Sequence, residues 1–115
     1  MSHFHAVVWI DQREARIFHF NADDADKLTL GAHHAVADEH YLHKVTTAIA
    51  DASEILVTGP SGAKTLLVKH IAQHDPQVFS HIVGIESSDH PTDGQLLAHA
   101  RHYFKSADRK IAQKV

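Results

Sequence analysis

The sequence predicts an α/β domain with a mixed five-stranded sheet, in the order βββαβαβα, and helices on both faces. Three observations carry that prediction. The opening residues make two strand-like runs joined by a tight turn, the second alternating with period two, as strands of an antiparallel meander do. Two later segments each join a short β-branched apolar run to a segment of helical spacing, the pattern of parallel β–α units. At 115 residues the chain is long enough for one domain and one sheet, not two.

His5 to Asp11 reads as the first strand and Glu14 to Phe20 as the second, with Asp11-Gln12-Arg13 as a tight hairpin connection. The second strand places Ala15, Ile17 and His19 on one face and Arg16, Phe18 and Phe20 on the other. Asn21 to Asp26 is an acidic turn, and Lys27 to Leu30 a short third strand with Leu28 and Leu30 on one face. Gly31 to Asp38 has no periodicity and reads as a loop.

From Glu39 the spacing becomes helical, with Tyr41, Leu42, Val45, Ala48, Ile49 and Ala52 on one face. Ile55 to Thr58 is a buried central strand. After a Gly-Pro-Ser-Gly turn, Leu66, Leu67, His70 and Ile71 line the inner side of a second helix, which Asp75-Pro76 ends. His81 to Ile85 is the fifth strand. Thr92 and Gln95 make a capping box for the last helix, with Asp93 in its first turn and Leu96, Leu97, Ala100, Tyr103 and Phe104 as its buried stripe. This is the ribonuclease H-like plan. Residues 1–106 form a single module and 107–115 a basic, frayed tail.

Composition removes several function classes. Cysteine is absent, so disulfides, thiol catalysis and cysteine-zinc sites are excluded. No run of about 18 apolar residues spans a membrane, and the N-terminus lacks the pattern of a signal peptide; the expected location is the cytoplasm. The net charge of −3 divides unevenly: from Arg101 onward five basic residues face Asp108 alone, giving +4, against −7 for the first hundred residues. A basic end on an acidic body suits contact with RNA or an acidic partner.

Glu54 to His74 invites a nucleotide-loop reading, since a strand, a glycine-rich turn and a helix make an anion site. A phosphate-binding P-loop needs Gly-x-x-x-x-Gly-Lys-Ser/Thr. Gly59-Pro60-Ser61-Gly62-Ala63-Lys64-Thr65 is one residue short, and Ala63 replaces the glycine before the lysine. Neither the fourth strand, which ends Thr58-Gly59, nor the fifth, which runs Ile85-Glu86, ends in an aspartate suited to hold magnesium. What survives is a helix start capped by Ser61, whose free N–H groups suit an RNA phosphate. The candidate anion contacts are Gly59, Ser61, Gly62, Lys64 and Thr65 at this turn, with Arg101, Lys105, Arg109 and Lys110 at the basic end.

Three motifs, AVVWID-x-REARIF, TGPSGAKT-x-LVKHI and DHPTDGQL, resemble the small bacterial proteins labelled translational machinery proteins. Those in turn resemble the central domain of Pelota and of archaeal and eukaryotic class 1 peptide release factors. The resemblance covers nearly the whole chain and implies the same fold and, by analogy, a non-catalytic translation-associated role that binds the ribosome, structured RNA or a translation factor. Release factors carry Gly-Gly-Gln between the third strand and the first helix. Here that stretch reads Gly-Ala-His-His-Ala-Val-Ala, and the lone Gly94-Gln95 belongs to the capping box, so peptidyl-tRNA hydrolysis is not expected.

A nuclease would need several carboxylates converging on two metal ions, and beyond Asp11 and Glu39 the central strand supplies none. No nucleophile-elbow motif is present. No cofactor is implied, but 13 histidines invite adventitious zinc or nickel. His33 and His34, with His40 and His43, are the metal candidates, and a small metal-dependent hydrolase using them is the alternative reading. His70 and His74 are also spaced to share an ion. A homodimer through the edge of the third strand is a further, structural possibility.

Overall fold

Strands β1 (His5–Ile10) and β2 (Glu14–Phe20) pair antiparallel across a turn closed by one carboxylate. Asp11 Oδ1 accepts hydrogen bonds from the N–H groups of Arg13 and Glu14, each at 2.8 Å. Asn21 closes the next turn the same way, accepting from the N–H groups of Asp23 and Asp24 at 3.1 and 2.9 Å. Short acceptors that fold back on their own backbone suit such turns. The computed structural model describes residues 4–32, 39–60 and 62–113, with side chains described as far as residue 105.

β3 (Ala25–Gly31) is longer than its apolar core suggests, because pairing with β2 continues out to Phe20↔Ala25. Then follow α1 (Glu39–Ile49), β4 (Glu54–Gly59), α2 (Ala63–His74), α3 (Pro76–Phe79), β5 (Ile82–Ser87) and α4 (Asp93–Gln113). The strand order is β3-β2-β1-β4-β5, with β1, β4 and β5 parallel and β2 antiparallel to both of its neighbours. This is the mixed five-stranded sheet that the sequence predicts, with one added turn of helix.

That turn, α3, has its own logic. Asp75 ends α2, its N–H donating to the Ile71 carbonyl at 2.8 Å. The same residue then caps α3, its carboxylate accepting from the Val78 N–H at 3.4 Å, with Pro76 in the first helical position. The dipeptide read as a stop is a stop and a restart.

β1 is buried on both faces, with Ala6 through Ile10 wholly inaccessible, as expected of a central strand in a covered sheet. One face packs Val8, Ile10, Ile17, Ile55 and Val57 against Leu42, Val45 and Ile49 of α1 and Leu67 and Ile71 of α2. The other packs Val7, Trp9, Phe18, Phe20 and Leu56 against Leu96, Ala100 and Phe104 of α4. Burying each large apolar side chain contributes about 1.5–3 kcal/mol.

Three details depart from the helix faces read in the sequence. Leu66 is 37 % exposed, because α2 turns Ala63, Leu67, His70 and Ile71 inward and leaves Leu66 beside that stripe. Thr46 is buried although polar, its hydroxyl donating to the Leu42 carbonyl at 2.8 Å. Ala48 is only partly buried. The capping box of α4 is present as expected: the Thr92 N–H donates to Gln95 Oε1 at 2.9 Å and the Gln95 N–H to Thr92 Oγ1 at 3.2 Å. The backbone of α4 stays helical beyond Ser106, to Gln113. Among the described residues no helix is long and apolar enough to cross a membrane.

Candidate functional site

The turn after β4 sits where the parallel strands end. Gly59 is required there. Its φ is +156°, and a Cβ at this position would come within 2.2 Å of the Ile10 carbonyl oxygen. Backbone on backbone leaves no room to yield, so glycine lets β1 and β4 end side by side. The Ser88 N–H donates to the Gly59 carbonyl at 3.0 Å, and Thr58 Oγ1 stands 2.8 Å from Ser88 Oγ, tying the turn to the end of β5.

α2 begins one residue later than the Ser61 cap implies. Gly62 occupies the N-cap position and makes no side-chain capping bond; Ser61 itself lies outside the described residues. Lys64 and Thr65 follow in the first turn, the lysine half-buried and the threonine exposed.

The basic residues of α4 lie elsewhere. α4 starts near the strand ends, where Asp93 meets Arg16, and runs back until Phe104 packs 4.3 Å from the His5 ring. Arg101 and Lys105 therefore stand by the starts of β1 and β4, where His5 is opposite Glu54. Five residue steps of strand, about 17 Å, separate that end from Gly59. Arg101 is also engaged: its guanidinium donates to the carbonyls of Asn21 and Asp24 at 3.4 and 3.3 Å, holding the β2–β3 turn. With Lys105, Phe20, Phe104 and His5 it lines a cavity of about 420 Å³. Arg109 and Lys110 lie further along α4, their side chains outside the described residues. The turn and the basic helix are thus two surfaces at opposite ends of the sheet.

Sequence reasoning missed a polar latch between them. Arg16 Nη1 donates to Asp93 Oδ1 and to the Pro91 carbonyl, both at 2.9 Å, while its guanidinium lies 4.4 Å from the centre of the Trp9 ring. Lys27 pairs with the other Asp93 oxygen, and Trp9 Nε1 donates to the Asp89 carbonyl at 2.8 Å. Hydrogen bonds from Lys27 and then Arg16 hold the Asp93 carboxyl below the usual aspartate range. For Asp11 burial pushes upward, but the Arg13 and Glu14 N–H groups and His90 outweigh it, and the net shift is downward. Asp11 is a hairpin residue; a nuclease cluster does not form around it among the described residues.

Beside the latch, Thr58, Ser88, Glu86 and His99 line a second cavity of about 440 Å³. His99 Nε2 is paired with Glu86 at 2.7 Å, which occupies that imidazole.

Of the histidine candidates, His33 and His34 lie outside the described residues. His40 and His43 are exposed on α1. His43 stands 6.4 Å, ring centre to ring centre, from His70, and His70 stands 4.5 Å from His74. Burial first, and then neighbouring His74, push the His70 pKa down, while Glu39 opposes them. Among the described residues no group of three His, Asp or Glu side chains is arranged to hold a metal.

No protein-family model matches the chain, and no curated protein matches it. Solved structures do. Pelota of Archaeoglobus fulgidus superposes over 96% of this chain with a TM-score of 0.66 at 12% identity. The archaeal translation termination factor aRF1 superposes over 96% at 0.62 and 12% identity. Dom34 of Saccharomyces cerevisiae, described as a translation termination-like factor, superposes over 96% at 0.62 and 11% identity. The chain spans about two fifths of the length of these proteins. Its fold is the one found within Pelota and archaeal release factors, as the resemblance implies.

Proposed function

We propose that this chain is a non-catalytic, translation-associated module that docks on the ribosome, on other structured RNA or on a translation factor. One observation carries the reading: a single domain matches Pelota and aRF1 over 96% of its length, while its sequence lacks the Gly-Gly-Gln of release factors. Dom34 is described as acting in RNA quality control and interacting with Hbs1; by analogy a translation factor is a natural partner here. The anion-suited contact is the Gly59–Thr65 turn, where Gly62, Lys64 and Thr65 open α2. Arg101, Lys105, Arg109 and Lys110 make the second contact; the end of the sheet where Arg101 and Lys105 stand is about 17 Å from Gly59, a separation suited to a large surface and not to one small ligand.

The test is co-sedimentation of the protein with ribosomes at low salt. Enrichment, reduced by Lys64→Ala or by Lys105→Ala, supports the reading, and the two variants report the two ends separately. Absence of enrichment with ribosomes, total RNA and translation factors overturns it. The metal-dependent hydrolase reading draws no support from the described residues: His33 and His34 lie outside them, and no group of three His, Asp or Glu side chains there is arranged to hold a metal. For a homodimer, β3 is indeed one sheet edge, but β5 is the other and carries exposed Val83 and Ile85; light scattering against concentration tests whether either edge pairs.

A further inference from the structure

α1 and α2 lie side by side on one face of the sheet, and three histidines meet at their seam. His70 and His74 are one turn apart on α2, with ring centres 4.5 Å apart and planes tilted by 39°. His43 reaches across from α1, its ring centre 6.4 Å from that of His70. His70 is only 8 % exposed, and its Nε2 is buried without a hydrogen-bond partner. Buried ring nitrogens are ordinarily satisfied, so this atom marks a place where a partner belongs. His43 and His74 are exposed, which leaves the seam open to solvent.

The spacing has a chemical meaning. Imidazole nitrogens bind zinc at about 2.0–2.1 Å, so two rings sharing one tetrahedral ion have centres about 5 Å apart. The α2 pair already meets that distance. The His43 ring needs to approach that of His70 by about 1.4 Å, within reach of a rotamer change by an exposed side chain.

We propose that His70 and His74 form a two-imidazole clamp for a divalent transition-metal ion, zinc or nickel, which His43 completes from the neighbouring helix. The described residues hold no ready-made set of three donors; the α2 pair has its rings side by side, and the ion draws their nitrogens and the third ligand together. Imidazole is a fitting donor for both metals, and Glu39 lies close enough for its charge to act on His70 and help balance the cation. An ion bridging α1 and α2 stabilises the folded chain by mass action, since the unfolded chain does not hold the three rings together.

The experiment is titration of the full chain with zinc chloride at pH 7.5 against a competing chelator, with thermal unfolding measured in parallel. One strong equivalent is expected, with a rise in the melting midpoint. His74→Gln, an exposed substitution that leaves the core intact, should weaken binding at least tenfold. His43→Gln should weaken it less and reduce the thermal shift, whereas His102→Gln on α4 should change neither. Several weak equivalents indifferent to His74→Gln and His43→Gln would mean adventitious ions on a histidine-rich surface only, and would overturn the proposal.

Discussion

The two faces of the sheet solve the same burial problem differently. The face under α1 and α2 is aliphatic and closed, with isoleucine, valine and leucine packed between two helices and the strands. The opposite face is aromatic, built from Trp9, Phe18, Phe20 and Phe104, and has one helix where the other has two. One helix cannot cover five strands, so polar side chains finish the job. Arg16 lies on Trp9, Asp93 joins it to Lys27, and Arg101 pins the β2–β3 turn. Cavities remain beside the start of α4 and beside its middle. On the two-helix face the buried polar atoms without a partner include His70 Nε2 at the seam and the Tyr41 hydroxyl. Polar chemistry gathers where helices fail to cover the sheet or where two of them meet.

That contrast can be broken experimentally, and the largest effect should come from its apolar part. Leu67→Ala on the closed face and Leu96→Ala on the open face both remove a fully buried side chain; each should cost about 2–5 kcal/mol. The closed face should lose more, because a cavity between two helices and the sheet collapses less readily than one beside an existing gap. Urea unfolding of both variants measures the difference, and equal losses would deny the asymmetry. Next comes the latch. Arg16→Met keeps the stem over Trp9 but removes hydrogen bonds to Asp93 and Pro91, and should destabilise by about 1.5–3 kcal/mol.

The latch also predicts a pH dependence. Asp93 ionises more readily in the folded chain than in the unfolded one. Its contribution is therefore complete above the ordinary aspartate value of about 3.9 and is lost as pH falls through the lower folded value. Asp93→Asn should flatten the stability profile below about pH 4, while leaving the closed face's response to Leu67→Ala unchanged. The smallest effect belongs to the capping box: Gln95→Ala should cost about 0.5 kcal/mol, read as a slight fall in the melting midpoint.

How far the sequence could be read follows the range of the interactions. The run Ala6–Ile10 is apolar without alternation, and it is the strand buried on both faces. Thr92 and Gln95 are three residues apart, and their reciprocal bonds are local. α3 was invisible because one helical turn has no period to detect. The latch joins residues 66 and 77 positions apart, and no local pattern marks such pairs. Asp93 could be read only as a residue complementing its own helix.

The candidate site shows the same limit. Gly59 is legible as a turn glycine, yet what fixes it is the Ile10 carbonyl on another strand. How far the turn lies from the basic end of α4 is not legible, because helix direction is not written in the sequence; α4 runs back along the sheet and carries Arg101 to the far end. His70 and His74 are legible as a pair by spacing, whereas His43 joins them only once α1 lies against α2.

The central claim, a translation-associated docking module, is tested most directly by crosslinking the native protein to ribosomes and mapping the joined residues. The account predicts crosslinks from the Gly59–Thr65 turn and, separately, from the C-terminal half of α4, with little from the exposed edge strand β3. Failure to crosslink at low salt to ribosomes, total RNA and translation factors alike, or crosslinks confined to β3, would contradict it.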